Sequence, residues 1–360
     1  MSAERITPTE LPEPRYEHGA DDYVFVELSE EMSFDANFQA MAITQQIRER
    51  DLPGVDEICP SNASYLVHFD PDEISPTDLV AELKEIASET DLSDFEWDTR
   101  IVDFPVLYQD EWTHETLMQF RDNHQDPDAT DLEYSARING FDSVEAFIDA
   151  HSGSPHMVTM VGFVPGLPWC FQMVPKDRQI EVPKYVQPRT ATPSRAVGYG
   201  GAFTAVYPVK GAGGYQLYGR TPVEVLDVDQ ELPDFTESMV FPNPGDILKF
   251  RQIDRAEYDA IREEVEAGTF EFTTVDVEFS PRSSSRTRMG TTSGWWRCCT
   301  NDPRSRRRPL DDGPRRRTLR PLPHRDASLG RDGPVLTHRR ELPRGQRPVG
   351  RDPRNDVQGV

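Results

Sequence analysis

From Val158 onward the chain breaks into short apolar runs with Gly or Pro about every ten residues, and this punctuation limits its fold more than any other feature. The runs are VTMVGFVP, QIEVP, RAVGYGGAFTAVYP, GYQLYGRTP, VEVLDV and DILKFRQI. They are too short for ordinary helices, and the turn residues fix where each must end. Many short strands of this kind bury their inner faces in a closed barrel or a sandwich. Short helices fit near residues 114–124 and 143–151, and a last one fits Arg255–Glu266, stopped by Gly268. The run IVDFPVLY at 101–108 reads as a strand, with Pro105 predicting an edge position or a break.

The first hundred residues have a different texture. Residues 1–20 are polar, hold three prolines and read as a disordered N-terminus. A strand at 23–28 (YVFVEL) precedes a helix over 34–50, which Ser33 can cap, with Phe34, Phe38, Met41 and Ile47 among its apolar positions. Strands follow at 55–59 and 64–69. Ser75-Pro76-Thr77-Asp78 then starts a helix: a capping Ser, Pro in the first turn and an acid three residues on. Leu79, Leu83 and Ile86 share one face of it. A last strand near 95–102 would complete a β-α-β-β-α-β order, that of a ferredoxin-like split unit. The expected division is a disordered segment at 1–20, an α/β unit at 21–99, a β-rich domain at 100–280 and a tail from 281.

Charge divides the chain at the same point. Residues 281–360 hold 20 Arg, no Lys and 8 acids, a net charge of +12. The remainder holds 19 basic and 55 acidic residues, a net charge of −36. Such a body repels nucleic acid and anionic membranes, and salt would screen its self-repulsion, as in halophilic-type acidic proteins. The tail contains no Phe, Tyr, Ile or Lys and cannot bury enough apolar surface to order itself. It reads as unstructured: either a basic arm or, preferred here, the product of a shifted frame in GC-rich coding sequence. No apolar run approaches the ~18 residues of a membrane span, and the N-terminus lacks the apolar core of a signal peptide. Four cysteines make no disulfide framework, so the expected location is the cytoplasm.

Chemistry is sparse. There is no phosphate-binding G-x-x-x-x-G-K-[ST] and no H-E-x-x-H, and the histidines are not spaced as metal ligands, so no metal site is expected. His151 and His156 read as loop residues, Cys170 as core. Two segments stand out. In 161–169, Pro165-Gly166 suits a tight turn with Gly at positive φ. In 211–222, glycines could bring backbone N–H groups to an anion, and Arg220 adds a planar charged fork. The plainer alternative makes both segments hairpin turns, with Arg220 paired to a surface acid.

These residues carry a resemblance. Gly162-Phe163-Val164-Pro165-Gly166, Pro188-Arg189, Tyr207-Pro208, Gly213-Gly214-Tyr215, Gly219-Arg220-Thr221-Pro222 and Pro244-Gly245-Asp246 follow one another as in the KipI-type family. That family includes the 5-oxoprolinase B subunit, and also allophanate hydrolase subunit 1, the carboxyltransferase subdomains C and D. Leu52-Pro53-Gly54-Val55 and the run from Ser64 to Pro71 extend the resemblance, which covers about residues 22–275. It implies an α+β protein: a ferredoxin-like domain followed by a cyclophilin-like β-barrel.

The resemblance also implies one component of an ATP-dependent 5-oxoprolinase complex that opens the lactam of 5-oxoproline to glutamate, inactive without A-type and C-type partner proteins. ATP with Mg would act at the level of that complex, and a homo-oligomer is compatible with it. Two alternatives stay open: an inhibitor of a sensor histidine kinase, and a carboxyltransferase component in urea or allophanate metabolism needing biotin on a partner. Residues carried over as substrate- or nucleotide-binding candidates are Pro165, Gly166, Arg189, Thr204, Gly213, Gly214, Arg220 and Thr221. The catalytic residues remain open. The chain departs from the family pattern at Trp169–Met173, usually aromatic-Leu-Gly-Gly-Leu, and at Phe203, usually Gln before the Thr. It also has Thr192-Pro193-Ser194-Arg195-Ala196-Val197 where Val-Pro-x-Gly-Ser-Val is common, and Gly211-Ala212 in place of Ser-Pro.

Overall fold

Alternation along two apolar strands builds the N-terminal sheet of the computed structural model, which describes residues 11–92 and 95–279. The tail expected from 281 lies outside these residues. Strands β1 (Arg15–Gly19) and β2 (Tyr23–Glu27), helix α1 (Phe34–Arg50), strands β3 (Val55–Pro60) and β4 (Ser64–Phe69) and helix α2 (Pro76–Glu89) form this layer. Val24 and Val26 of β2 and Tyr65, Val67 and Phe69 of β4 point inward, against Ile43 and Ile47 of α1 and Leu79, Leu83 and Ile86 of α2. Both helices start where the sequence places them. Ser33 Oγ accepts the Ala36 N–H, and Ser75 Oγ accepts the Asp78 N–H.

The sheet order β1-β2-β4-β3 corrects the expected β-α-β-β-α-β order. The fourth strand is Arg15–Gly19, from the segment expected to be disordered, paired antiparallel with β2 as a hairpin. The segment after α2 goes elsewhere: β5 (Trp97–Tyr108) is one strand of twelve residues in the second sheet. It crosses the 99/100 boundary expected from the sequence.

After β5 come α3 (Glu111–Gln119), α4 (Asp131–Ile138), α5 (Val144–Gly153), β6 (Pro155–Val161), β7 (Pro168–Gln172), β8 (Arg189–Thr192), β9 (Ala196–Gly200), β10 (Phe203–Val206), β11 (Gly211–Gly213), β12 (Gln216–Arg220), β13 (Ile247–Gln252), α6 (Arg255–Glu266) and β14 (Thr274–Phe279). Seven strands close a barrel in the order β12-β9-β10-β7-β6-β13-β5, with β5 pairing back to β12. At that seam Gly219 stands opposite Tyr108, and a Cβ on it would lie 2.5 Å from the Leu107 carbonyl oxygen. The barrel closes there because the residue is glycine.

β5 is central rather than at an edge, a second correction. It runs parallel to β13 on one side and pairs antiparallel with β14, then β12, on the other. Pro105 is tolerated because N–H directions alternate along a strand. Asp103 N–H points to the β14 side, at the Thr273 carbonyl, and Gln109 N–H to the β12 side, at the Tyr218 carbonyl. Position 105 faces the same side, in the gap between those two partners, where no ladder bond is lost.

Phe104, Phe147, Tyr199, Tyr218 and Phe250 fill the barrel. Phe38 of α1 packs with Trp97 and Phe279, and Asn37 Nδ2 donates to the Ser61 and Asn62 carbonyls, so α1 bridges both sheets.

Candidate functional site

Pairing of β8 with β11 puts Arg189 directly across from Gly213. The Arg189 side chain is wholly buried. Nη2 donates to the Tyr215 carbonyl at 2.7 Å, Nε donates to Thr192 Oγ1 at 3.3 Å, and the guanidinium lies 4.4 Å from the centre of the Tyr185 ring. Nη1 has no hydrogen-bond partner among the described residues. None of these contacts is a carboxylate, an unusual state for a permanently charged group out of water.

Charge balance arrives through a hydroxyl. Tyr185 Oη donates to Asp131 Oδ1 at 2.5 Å, and Asp131 Oδ2 accepts the Leu217 N–H at 2.5 Å. Asp131 is held in the first turn of α4 by a capping box, in which Thr130 and Glu133 satisfy each other's backbone N–H groups. His124 Nε2 lies 2.8 Å from Gln216 Oε1 and 3.3 Å from Asp131 Oδ1. Burial, with Asp131 nearby, pushes the Tyr185 hydroxyl well above its ordinary pKa, so it remains a donor. The result is a buried chain from Arg189 through Tyr185 and Asp131 to His124 and Gln216.

Burial opposes a charge on His124. Its hydrogen bond to Asp131 and that carboxylate's charge outweigh burial and raise its pKa above 6.5. The stabilisation is therefore fully present below pH 6.5 and is lost as pH rises through the raised folded value. Thermal unfolding between about pH 6 and pH 8.5 should show a falling melting temperature. Asp131→Asn should flatten that slope; equal slopes in both proteins would show that this pair does not set it.

The other sequence candidates fall in separate places. Gly213 is glycine for packing: a Cβ would sit 2.5 Å from the Tyr207 hydroxyl and 2.8 Å from Thr192 Oγ1. The close approach expected for an anion is thus filled by the protein's own hydroxyls. The Gly214 carbonyl accepts the Tyr185 N–H at 2.7 Å. Arg220 is the last residue of β12 and Thr221 follows it, so that Arg220 lies about 17 Å along the strand from Tyr215 at 3.3–3.4 Å per residue. Arg220 Nε donates to the Ser194 carbonyl at 3.1 Å and its guanidinium stacks on Trp112; among the described residues no acid is within ion-pair distance of it. Thr221 is buried and donates its N–H to the Arg195 carbonyl.

Pro165-Gly166 turns the β6–β7 hairpin with Gly166 at φ +78°, as the sequence predicts. Thr204 faces the barrel interior, its Oγ1 2.9 Å from His151 Nε2, while His151 Nδ1 lies 2.8 Å from the Tyr108 hydroxyl. His151 and His156 are core residues, not loop residues. Burial and then the charge of Lys249 push His151 down to about 3, so it is a neutral linker. Cys170 is buried, its thiol pKa raised by that burial. Among the described residues no cluster could hold a metal.

Beside Asp131 opens a cleft of about 350 Å³, also lined by Asp110, Glu111, Thr113 and Tyr218. Its carboxylates disfavour an anionic ligand. Tyr185, Asp131, His124 and Gln216 escape sequence reasoning because they are single polar residues without mutual spacing. The one usable signal is Gln216, adjacent to the Gly-Gly-Tyr motif.

A family profile for the carboxyltransferase domain, subdomain C and D, matches residues 14–236. The chain is 31% identical to the 5-oxoprolinase B subunit of Bacillus subtilis (strain 168) over 258 residues, covering 68% of this chain and 95% of that protein. The chain belongs to this carboxyltransferase family. It is also 25% identical to urea amidolyase of Saccharomyces cerevisiae, covering 75% of this chain but 15% of that protein. In fold it is similar to the crystal structure of the K. lactis urea amidolyase, with a TM-score of 0.67 at 22% identity over 75% of this chain and 17% of that one. No helix among the described residues is long and apolar enough to cross a membrane.

Proposed function

We propose that this chain is the B-type component of a 5-oxoprolinase, acting with A-type and C-type partner proteins to open the lactam of 5-oxoproline to L-glutamate at the expense of ATP. The observation that carries the reading is a match to 95% of the length of a 5-oxoprolinase B subunit, whereas the chain matches 15% of a urea amidolyase. Arg189 supports it chemically. The substrate carries one carboxylate at neutral pH, and a buried guanidinium with an unpartnered nitrogen is suited to receive it.

A lactam carbonyl is a poor electrophile, and ATP makes its oxygen a phosphate leaving group before water attacks. ATP with its Mg²⁺ acts at the level of the complex. Within this chain the Gly213 backbone is closed to an anion by Tyr207 and Thr192. On this reading the chain binds and orients substrate in a cytoplasmic complex and is inactive alone.

The fold likeness to urea amidolyase favours a second reading, a carboxyltransferase component in urea or allophanate metabolism. Deleting the gene separates the two. Under the first reading cells accumulate 5-oxoproline and lose growth on it as sole nitrogen source, while urea use is unaffected. Normal 5-oxoproline with lost urea use would select the second. If neither changes, both enzymatic readings fail and a regulatory role takes their place.

A further inference from the structure

At the far end of β12, three guanidiniums gather in a body whose net charge is −36. Arg195 and Arg262 converge on one carbonyl, that of Pro222, at 3.3 Å and 2.9 Å. They also share one carboxylate, Glu224, at 3.7 Å and 2.8 Å. Arg262 has a second partner in Glu266 at 3.3 Å. Arg220 bonds the carbonyl of Ser194, next to Arg195, stacks 4.9 Å from the Trp112 ring centre, and has no ion-pair partner among the described residues. Tyr258, 3% exposed, packs its ring 5.2 Å from Trp112 within reach of the charges of all three guanidiniums and of Asp110, and its hydroxyl has no hydrogen-bond partner among the described residues.

The backbone adds an independent observation. Arg195 has φ +64°, a left-handed conformation that side-chain-bearing residues rarely adopt. Gly would hold that conformation without strain. Strain retained next to an unsatisfied buried hydroxyl is the kind of local defect that clusters at binding sites.

We infer that Arg195, Arg220, Arg262 and the Tyr258 hydroxyl form a binding site for a phosphate-type oxyanion. Three planar forks and a phenolic donor offer more donors than the two oxygens of a carboxylate take, and suit a tetrahedral group with three or four oxygens. Glu224 and Glu266 offset part of the charge of Arg195 and Arg262, and the nearby Asp110 carboxylate part of that of Arg220. The site is separate from Arg189 and does not depend on the 5-oxoprolinase reading.

The test is calorimetric titration of the full chain with inorganic phosphate, at fixed ionic strength made up with chloride. Tyr258→Phe removes only the orphan hydroxyl, and Arg195→Gly removes one fork together with the strained residue. Each should weaken phosphate binding at least ~10-fold, since hydrogen bonds to charged groups are strong. Tyr258→Phe should leave the melting temperature equal or higher. The twenty tail arginines are present in every protein compared, so phosphate held there is a background common to all of them and the change on substitution reads the site. ADP binding tighter than phosphate would identify the oxyanion as part of a nucleotide, and ADP binding no tighter would identify free phosphate; either supports the site. Absence of phosphate binding by the unaltered chain overturns it, as do affinities unchanged in both variants. Should Arg195→Gly fail to fold, Tyr258→Phe decides alone, and a lowered melting temperature with lost affinity would make the hydroxyl structural.

Discussion

Asp131→Ala should destabilise the protein by about 3–5 kcal/mol, the range for removing one partner of a buried charged group. The carboxylate holds the Tyr185 hydroxyl, the Leu217 N–H and His124 at once. Its loss leaves the Tyr185 hydroxyl and the Leu217 N–H unsatisfied, each worth about 1–3 kcal/mol of desolvation, while His124 keeps its contact with Gln216. For a body of this size each kcal/mol moves the melting temperature by about 2–4 °C, so thermal unfolding should shift down by roughly 10 °C. Asp131→Asn should do less harm, since its oxygen can still accept from Leu217 while its amide donates to the Tyr185 oxygen. A loss under about 1 kcal/mol in the alanine variant would mean that this network does not hold β12 against α4.

Local signals in the sequence locate local structure well. Ser33, Ser75-Pro76 and Gly268 mark helix ends because capping is settled within a few residues. Arg15–Gly19 is missed because an edge strand needs only backbone hydrogen bonds, and its side chains show no apolar alternation. Pro105 misleads because the cost of its missing N–H depends on which strand lies opposite, a property of topology.

The candidate site divides in the same way. Arg189, Gly213 and Gly214 come together because the motifs that flag them sit on paired strands. Arg220 carries an equally specific motif but lies at the other end of β12, since one strand can place its two ends in unrelated surroundings. Tyr185 and Asp131 are 54 residues apart in sequence, and only the closed barrel makes them partners. Gly213 shows the limit of reading glycine as an anion cradle: the space left by the absent Cβ is taken by Tyr207 and Thr192.

As the proposed B-type component of a lactam-opening complex, this chain would be obligatory for turnover yet unable to act alone. The most direct test combines the purified chain with cognate A-type and C-type partner proteins and follows ATP-dependent release of glutamate from 5-oxoproline. No turnover is expected from the chain alone, and turnover is expected from the full mixture. Arg189→Lys, which keeps the charge but loses the fork, should lower that turnover at least ~10-fold. Glutamate release by the chain alone would contradict the account, and so would a mixture whose turnover is unchanged when this chain is left out.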